Sequence, residues 1–284
     1  MKAAPLAYAR AKDVPHALAL WRQAGPDARL LAGGQSLLAG LNLRLNDAPV
    51  LIDIGRISGL RGVADLGDRL RIGALTRHAD LARDPLVASH APALAQAAPL
   101  IAHPAIRTRG TIGGSLAYAD PAAELPACAL ALDATIVARD EDGERGIPAS
   151  EFFLGLFETA LRPFEMIVAV EVPKIGPQRR HKVMELARRS GDYAIAGLVL
   201  AADLQGDGLR DVRLSYFGMG GVPVMARGAM AALETGSGLD AACAALDEDL
   251  DPSGDLQGSP EMKRHLARVL LRRAVGGLRG HPDA

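Results

Sequence analysis

Ala32-Gly33-Gly34-Gln35-Ser36 and Thr111-Ile112-Gly113-Gly114-Ser115 are the two most informative stretches of this chain, and they are near-copies of one another. Each falls where an extended run meets a helical one. Ala28 to Leu31 reads as a buried strand entering Gly33-Gly34, and Ser36 to Leu45 resumes a helical pattern with Leu37, Leu38, Leu41 and Leu45 on one face. Paired glycines let the backbone approach a ligand closely and take positive φ without a Cβ penalty. The serine after each pair can donate through its hydroxyl and amide to a phosphate at a helix start. A single Gly-Gly turn is most simply a turn, whereas two in one domain suit a diphosphate, which presents two phosphoryl groups. Neither stretch is a G-x-G-x-x-G or G-K-[ST] loop. Gly218-Met219-Gly220-Gly221-Val222-Pro223 carries proline where a last glycine would be needed, and it reads as a tight turn ending a strand. Ser36 lacks the second glycine of a nucleophile elbow.

Outward from these loops, Pro15 to Trp21 reads as a helix capped by Asp13, with Pro15 in its first turn. Val50 to Ile52 and Leu70 to Ile72 read as strands, Thr76 to Ala82 as a helix capped by Thr76, and Ser89 to Ile101 and Ala122 to Leu132 as alanine-rich helices. Thr135 to Arg139 enters a hairpin turning at Glu141-Asp142-Gly143, and Ile167 to Val172 alternates like a strand. Pro173, Gly176 and Pro177 then interrupt the rhythm, which places a domain boundary near residue 175. Beyond it, strand-like runs (His181 to Arg188, Ile195 to Ala202, Val212 to Phe217) precede helices (Arg227 to Leu233, Asp240 to Leu246, Pro260 to Val275). Strands first and helices after make an α+β pattern.

Composition narrows the function classes. The 284 residues are 49% apolar and carry 32 Lys+Arg against 33 Asp+Glu, so no sign-biased field favours nucleic acid or an anionic membrane surface. Cys128 and Cys243 are far apart, with no CxxC, which leaves neither an iron–sulfur nor a Cys-rich zinc site in this chain and no disulfide framework. Lys2, Arg10, Lys12, Asp13 and Arg22 interrupt the stretch a signal peptide would need. The run Ala127 to Ala138 is broken by Asp133 and is shorter than the ~20 residues of a membrane helix. A cytoplasmic protein without a membrane span is expected.

Among polar candidates, the histidines (His16, His78, His90, His103, His181, His265, His281) form no HxH or HExxH spacing, so no metal site is expected. His103-Pro104 shapes the backbone before the second glycine loop. Asp120 suits helix capping; Glu124 suits either dipole compensation or accepting from sugar or polyol hydroxyls. Arg188-Arg189 reads as a solvated pair, and Tyr193, on a turn past the boundary, either packs or lies against a flat ligand.

The two glycine loops resemble the FAD-binding signature of the medium, flavoprotein subunit of molybdenum hydroxylases, the family of the carbon monoxide dehydrogenase medium subunit and the xanthine dehydrogenase FAD domain. Further segments carry the likeness: Leu51-Ile52-Asp53-Ile54, Ile72-Gly73-Ala74-Leu75-Thr76, Asp120-Pro121-Ala122-Ala123-Glu124-Leu125-Pro126, Phe152-Phe153-Leu154-Gly155, Glu165 to Pro173 and Met262 to Leu270. The resemblance implies a two-part FAD-binding domain of the vanillyl-alcohol-oxidase or MurB-like type at residues 1–175, with parts near 1–55 and 56–175. Residues 176–284 would form the C-terminal domain, a three-stranded sheet with a helical bundle.

By the same matching, Ala32, Gly33, Gly34, Gln35, Ser36, Thr111, Gly113, Gly114 and Ser115 would wrap the pyrophosphate. Leu31, Ala102, Ile106, Gly110 and Ala117 would line the cofactor, Glu124 would hold its hydroxyls, and Leu161 and Tyr193 would pack beside the isoalloxazine. No residue is implied as an acid or base on the organic substrate. The implied partners are a small subunit with two [2Fe–2S] clusters, a large molybdopterin subunit and an external electron acceptor, in a dimer of heterotrimers. A self-contained flavin oxidoreductase and a redox-silent FAD-binding subunit are the alternatives. Gln35 replaces a histidine common in the carbon monoxide dehydrogenase signature, and Glu185 and Ala187 stand where such relatives often carry lysines. The likeness therefore identifies neither the acceptor nor the substrate.

Overall fold

A computed structural model describes residues 2–206 and 208–280; His281 lies outside the described residues. The first sheet is a small parallel one. Strand β1 (Ala7–Arg10) leads to helix α1 (Val14–Ala24), then β2 (Arg29–Leu31), α2 (Leu37–Asn42) and β3 (Val50–Asp53), in the order β1-β3-β2. Ala7 pairs with Val50, and Leu31 with Asp53. The Asp13 carboxylate accepts from the His16 amide and Pro15 occupies the first turn, as the sequence predicts for α1.

Next come β4 (Val63–Asp65), β5 (Arg69–Gly73), and five short helices: α3 (His78–Leu81), α4 (Pro85–His90), α5 (Pro92–Ala97), α6 (Pro104–Arg107) and α7 (Ile112–Tyr118). Helix α8 (Glu124–Ala131), the hairpin β6 (Thr135–Arg139) and β7 (Glu144–Pro148), α9 (Ala149–Phe152), the small ribbon β8 (Phe153–Gly155) and β9 (Glu158–Thr159), and β10 (Met166–Pro173) follow. The strands form an antiparallel sheet in the order β4-β5-β10-β6-β7. Alternation along it faces two cores: Val137 and Val168 pack toward the first sheet and α1, while Ile136, Ala138 and Val170 pack toward α4, α5, α7 and α8.

The last unit is β11 (Arg179–Leu186), β12 (Ala196–Gln205), β13 (Gly208–Phe217) and the two-residue β14 (Val224–Met225), a consecutive antiparallel sheet, followed by α10 (Arg227–Glu234), α11 (Leu239–Asp249) and α12 (Pro260–Leu278). The α+β reading holds, with β14 as a short edge added to three long strands. One face of this sheet (Leu198, Leu200, Leu214, Tyr216) packs on the three helices, and Tyr216 donates to the Ala267 carbonyl at 3.0 Å. The other face (Val183, Val199, Phe217) joins the core built around α5 and α8. Gln96 of α5 closes this junction, donating to the His181 carbonyl and accepting from the Val183 amide.

Four local expectations are corrected. The helix expected over Ser36 to Leu45 stops at Asn42; Arg44 takes φ 57°, and Leu45 points to solvent at 75% exposure. Pro92 lacks the amide that would continue α4, so the expected Ser89 to Ile101 helix divides at Ala91 into α4 and α5. Thr76 does not cap α3; its hydroxyl exchanges hydrogen bonds with the Gly62 backbone and ties the β3–β4 connection down. Asp120 does not cap α8, whose Ncap is Ala123; it accepts from the Ala122 amide and shapes the turn before the helix.

Candidate functional site

The two glycine loops meet. A β-carbon on Gly33 would collide with the Arg109 carbonyl, and one on Gly113 would lie 2.6 Å from the Ala74 Cβ and 2.8 Å from the Ala74 oxygen. Gly34 takes φ +75°, the left-handed conformation that glycine supplies at no steric cost. The loops differ in how their backbone is used. In the second, the Ile112 amide donates to Thr76, Gly113 to Ala74, Gly114 to the Thr111 hydroxyl and Ser115 to the Thr111 carbonyl, so the loop is knitted into the scaffold. In the first, the amides of Gly33, Gly34, Gln35 and Ser36 have no acceptor among the described residues. Four successive free amides in a glycine turn form an anion-accepting concavity.

Both loops open on a cavity of about 530 Å³, within the range of cofactor sites. Ala32, Gly33, Gly34, Gln35, Ser36, Ala102, Ile106, Gly110, Thr111, Gly113, Gly114, Ser115, Ala117, Glu124, Leu161 and Tyr193 all line it. Leu31 does not; it packs beneath the first loop with Leu41, Ala48 and Leu51, and its carbonyl accepts from the Ile54 amide. Tyr193 arrives from the connection between β11 and β12. Gly191 in that connection (φ +89°) rests on His103, so the C-terminal unit leans over the cavity mouth. Gly218, at φ +72°, ends β13 and donates to the Pro121 carbonyl, anchoring the turn that leads into Glu124.

The cavity combines polar groups with aliphatic walls. Ile101, Ile106, Ala102, Ala117 and Leu161 supply the apolar wall. Ala102 takes φ 42°, unfavourable for a residue with a Cβ, and the Arg107 guanidinium holds it by donating to the Ile101 and Ala102 carbonyls at 2.9 and 2.6 Å. Glu124 opens α8 and is only 9% exposed; burial pushes its carboxyl up to about 8, with Glu185 and Asp120 adding to the shift against its own backbone amide. Glu185, on β11, is pushed up to about 7 by burial and has one carboxyl oxygen buried without a partner.

Several lining residues carried no sequence signal. Trp21 of α1 and His78 of α3 reach the cavity, and the indole nitrogen and both imidazole nitrogens are buried without hydrogen-bond partners. Burial holds His78 at about 4, so it is neutral at physiological pH. Glu165 also lines the cavity; its carboxylate takes a two-pronged contact from Arg145 at 2.5 and 2.7 Å and the Arg162 amide at 2.8 Å. These side chains come from elements far apart in the chain, and no local pattern connects them. Free amides, unpartnered ring nitrogens and a protonated carboxyl, set among aliphatic walls, fit a flat heteroaromatic cofactor carrying hydroxyls and a diphosphate. Among the described residues no His, Cys, Asp and Glu group could hold a metal, and no helix is long and apolar enough to cross a membrane.

Comparison with known proteins agrees with this fit. The model of the FAD binding domain in molybdopterin dehydrogenase matches residues 4–175, and that of the CO dehydrogenase flavoprotein C-terminal domain matches residues 181–278. The chain is 40% identical over 281 residues to the 6-hydroxypseudooxynicotine dehydrogenase complex subunit alpha of Paenarthrobacter nicotinovorans, covering 97% of this chain and 95% of that one. It is 36% identical over 272 residues to the carbon monoxide dehydrogenase medium chain of Hydrogenophaga pseudoflava, covering 94% and 95%. A solved carbon monoxide dehydrogenase from the same organism superposes with a TM-score of 0.95 at 36% identity over 99% of both chains. Quinoline 2-oxidoreductase from Pseudomonas putida 86 superposes with a TM-score of 0.93 at 31% identity over 99% of this chain and 100% of that one. Such relatives are subunits of multi-subunit oxidoreductases. On this ground the chain belongs to the family of FAD-binding medium subunits of the molybdenum hydroxylases.

Proposed function

We propose that the cavity described above holds FAD and that this chain carries electrons between a small [2Fe–2S] subunit, fed by a large molybdopterin subunit, and an external acceptor, in a cytoplasmic dimer of heterotrimers. The observation that carries the reading is the convergence of both glycine loops, Glu124, Leu161 and Tyr193 on one cavity. In this reading residues 1–55 and 56–175 clasp the cofactor between them, and residues 176–284 close its mouth.

The bound flavin supplies the redox chemistry. The amides of Gly33, Gly34, Gln35 and Ser36 donate to the diphosphate, and the second loop holds that turn in place through the contact of Gly33 with Arg109. Glu124, protonated at neutral pH, brings both a donor and acceptors to the cofactor hydroxyls without adding charge beside the phosphates. Leu161, Ile106 and Ala102 exclude water from the ring system, while Tyr193, 61% exposed at the rim, shields its outer edge. Leu31 supports the first loop from beneath, outside the cavity lining. Glu185 and Ala187 are not cationic, so this stretch brings no positive charge toward Glu124.

The test is co-expression with candidate small and large subunits. The purified assembly should show flavin and [2Fe–2S] absorption bands and release FAD on heating. Reduction by an organic substrate should bleach the flavin band only when all three chains are present. A colourless chain that takes up no FAD, alone or with the other subunits, would overturn the cofactor reading. A flavin-loaded chain that turns over substrate alone would overturn the three-subunit reading and support a self-contained oxidoreductase.

A further inference from the structure

A second cavity, of about 630 Å³, shares Ala32, Gly33, Leu75 and Thr111 with the first, so these residues form the wall between the two. Its other side is lined by Arg10, Arg56, Arg61, Arg77 and Arg109, which come from four separate stretches of chain, against a single carboxylate among the described residues, Asp53. Asp53 is already engaged: it accepts from the Tyr8 hydroxyl and the Gly55 amide and pairs with Arg10 at 3.5 Å. Among the described residues Arg61 donates only to the neutral Gly55 carbonyl. The guanidiniums of Arg56, Arg77 and Arg109 have no acceptor among the described residues. Four uncompensated positive charges thus converge on one concavity in a chain whose net charge is −1. Like charges repel even in water, and a bound polyanion relieves that repulsion.

We propose that this cleft binds an oligophosphate anion against the outer side of the first glycine loop. Several guanidinium forks match several phosphoryl groups, each able to take two parallel N–H donors. Among the described residues the cleft is otherwise poor in apolar surface, with only Ala32 and Leu75 as aliphatic side chains and no aromatic residue, so it offers no platform for a nucleobase. The recognised group is the phosphate chain itself, whether free or carried by a nucleotide whose base stays outside. The cleft is complete without a cofactor in the neighbouring cavity.

Calorimetric titration of the FAD-loaded chain with inorganic pyrophosphate tests this, with the flavin band followed in parallel. Binding should weaken with added salt and fall about tenfold or more in the double variant Arg56→Gln, Arg77→Gln, with FAD content and melting temperature unchanged. Arg61→Gln, a single change at a separate position of the cleft, should weaken it too and guards against a local folding defect in the double variant. ADP tested in the same way separates the sources: tighter binding of ADP than of pyrophosphate assigns a nucleotide, and the reverse assigns a free oligophosphate, either of which upholds the site. Pyrophosphate that does not bind, that binds both variants as well as the parent, or that displaces FAD from the loaded chain would overturn it. A chain that takes up no FAD but still binds pyrophosphate in an arginine-dependent way would sink only the cofactor reading.

Discussion

Gly33 and the Arg109 carbonyl are in backbone contact, with no room between them for a β-carbon. Position 33 is therefore where the two glycine loops lock together, and the free amides of Gly33 to Ser36 take their direction from that lock. Gly33→Ala must displace backbone, because a carbonyl cannot rotate away as a flexible side chain can. We expect at least about a tenfold loss of FAD affinity and a stability loss of about 1–3 kcal/mol. Gly113→Ala meets the Ala74 Cβ at 2.6 Å deep in the scaffold, so its effect should be mainly on stability. Flavin retained after gel filtration, set beside melting temperature, separates the two. Equal flavin retention in Gly33→Ala and the parent would show that the lock does not position the amides.

The ion pair of Arg145 and Glu165 braces the cavity wall between β7 and β10. Glu165 has a side chain only 1% exposed. Burial alone would raise its carboxyl, but the Arg145 fork and the Arg162 amide outweigh burial and hold it below the usual carboxylate range. A lowered carboxylate stabilises the fold above its unfolded pKa and loses that contribution as pH falls through the folded value. Glu165→Ala leaves Arg145, about a third exposed, without its carboxylate and with only the Ala160 carbonyl as acceptor among the described residues. The expected cost at neutral pH is about 2–3 kcal/mol, smaller in acid, measured by urea unfolding across pH. A variant as stable as the parent at neutral pH would remove this pair from the account.

How far the sequence carried this reading depends on whether a feature is local. The glycine loops, the Asp13 cap of α1 and the hairpin turning at Glu141-Asp142-Gly143 are set by residues within a few positions of one another, and they were legible. The division of helix at Ala91 was legible in principle from Pro92, but the alanine-rich composition on both sides masked it. Leu45 fits a helical face in pattern, yet the chain turns at Arg44 before reaching it. Trp21, His78 and Glu165 reach the cavity only because three sheets bring α1, α3 and the start of β10 together. Periodicity and spacing contain nothing about such long-range meetings. The arginine cleft was hidden for the same reason: its five arginines are scattered from position 10 to position 109 in a chain of balanced charge.

Both cysteines should be inert in the folded protein. Cys128 is fully buried in α8 and faces the Ala93 carbonyl at 3.9 Å; burial pushes its thiol up, with Glu124 adding. Cys243, 3% exposed, is likewise raised by burial. A thiolate is the reacting species, so an excess of an aromatic disulfide reagent should label neither residue until denaturant is added. Rapid labelling of the folded chain would mean that α8 or α11 opens far more readily than its packing implies.

Glu124 makes stability and pH opposed over an unusual window. A carboxyl near a helix N-terminus is ordinarily favoured in its charged form, but here burial dominates and raises it from 4.5 to about 8. Between those values the folded chain holds a proton that the unfolded chain has released, so stability falls as pH rises and levels off above about 8. The FAD-free chain should therefore lose on the order of 3 kcal/mol between about pH 5 and about pH 8 through this group. Glu124→Gln keeps the shape and the donor while removing the titration, so its stability should be flatter across the same range. Glu185→Gln should reduce the slope as well, since it removes a second buried carboxyl raised to about 7 and the neighbouring charge that adds to the shift at Glu124. Urea unfolding at a series of pH values reads all three slopes. A parent chain whose stability rises steadily through neutral pH, or a Glu124→Gln chain with the parent's slope, would show that Glu124 is ionised in the fold and that its hydroxyl-binding role must be that of a charged acceptor.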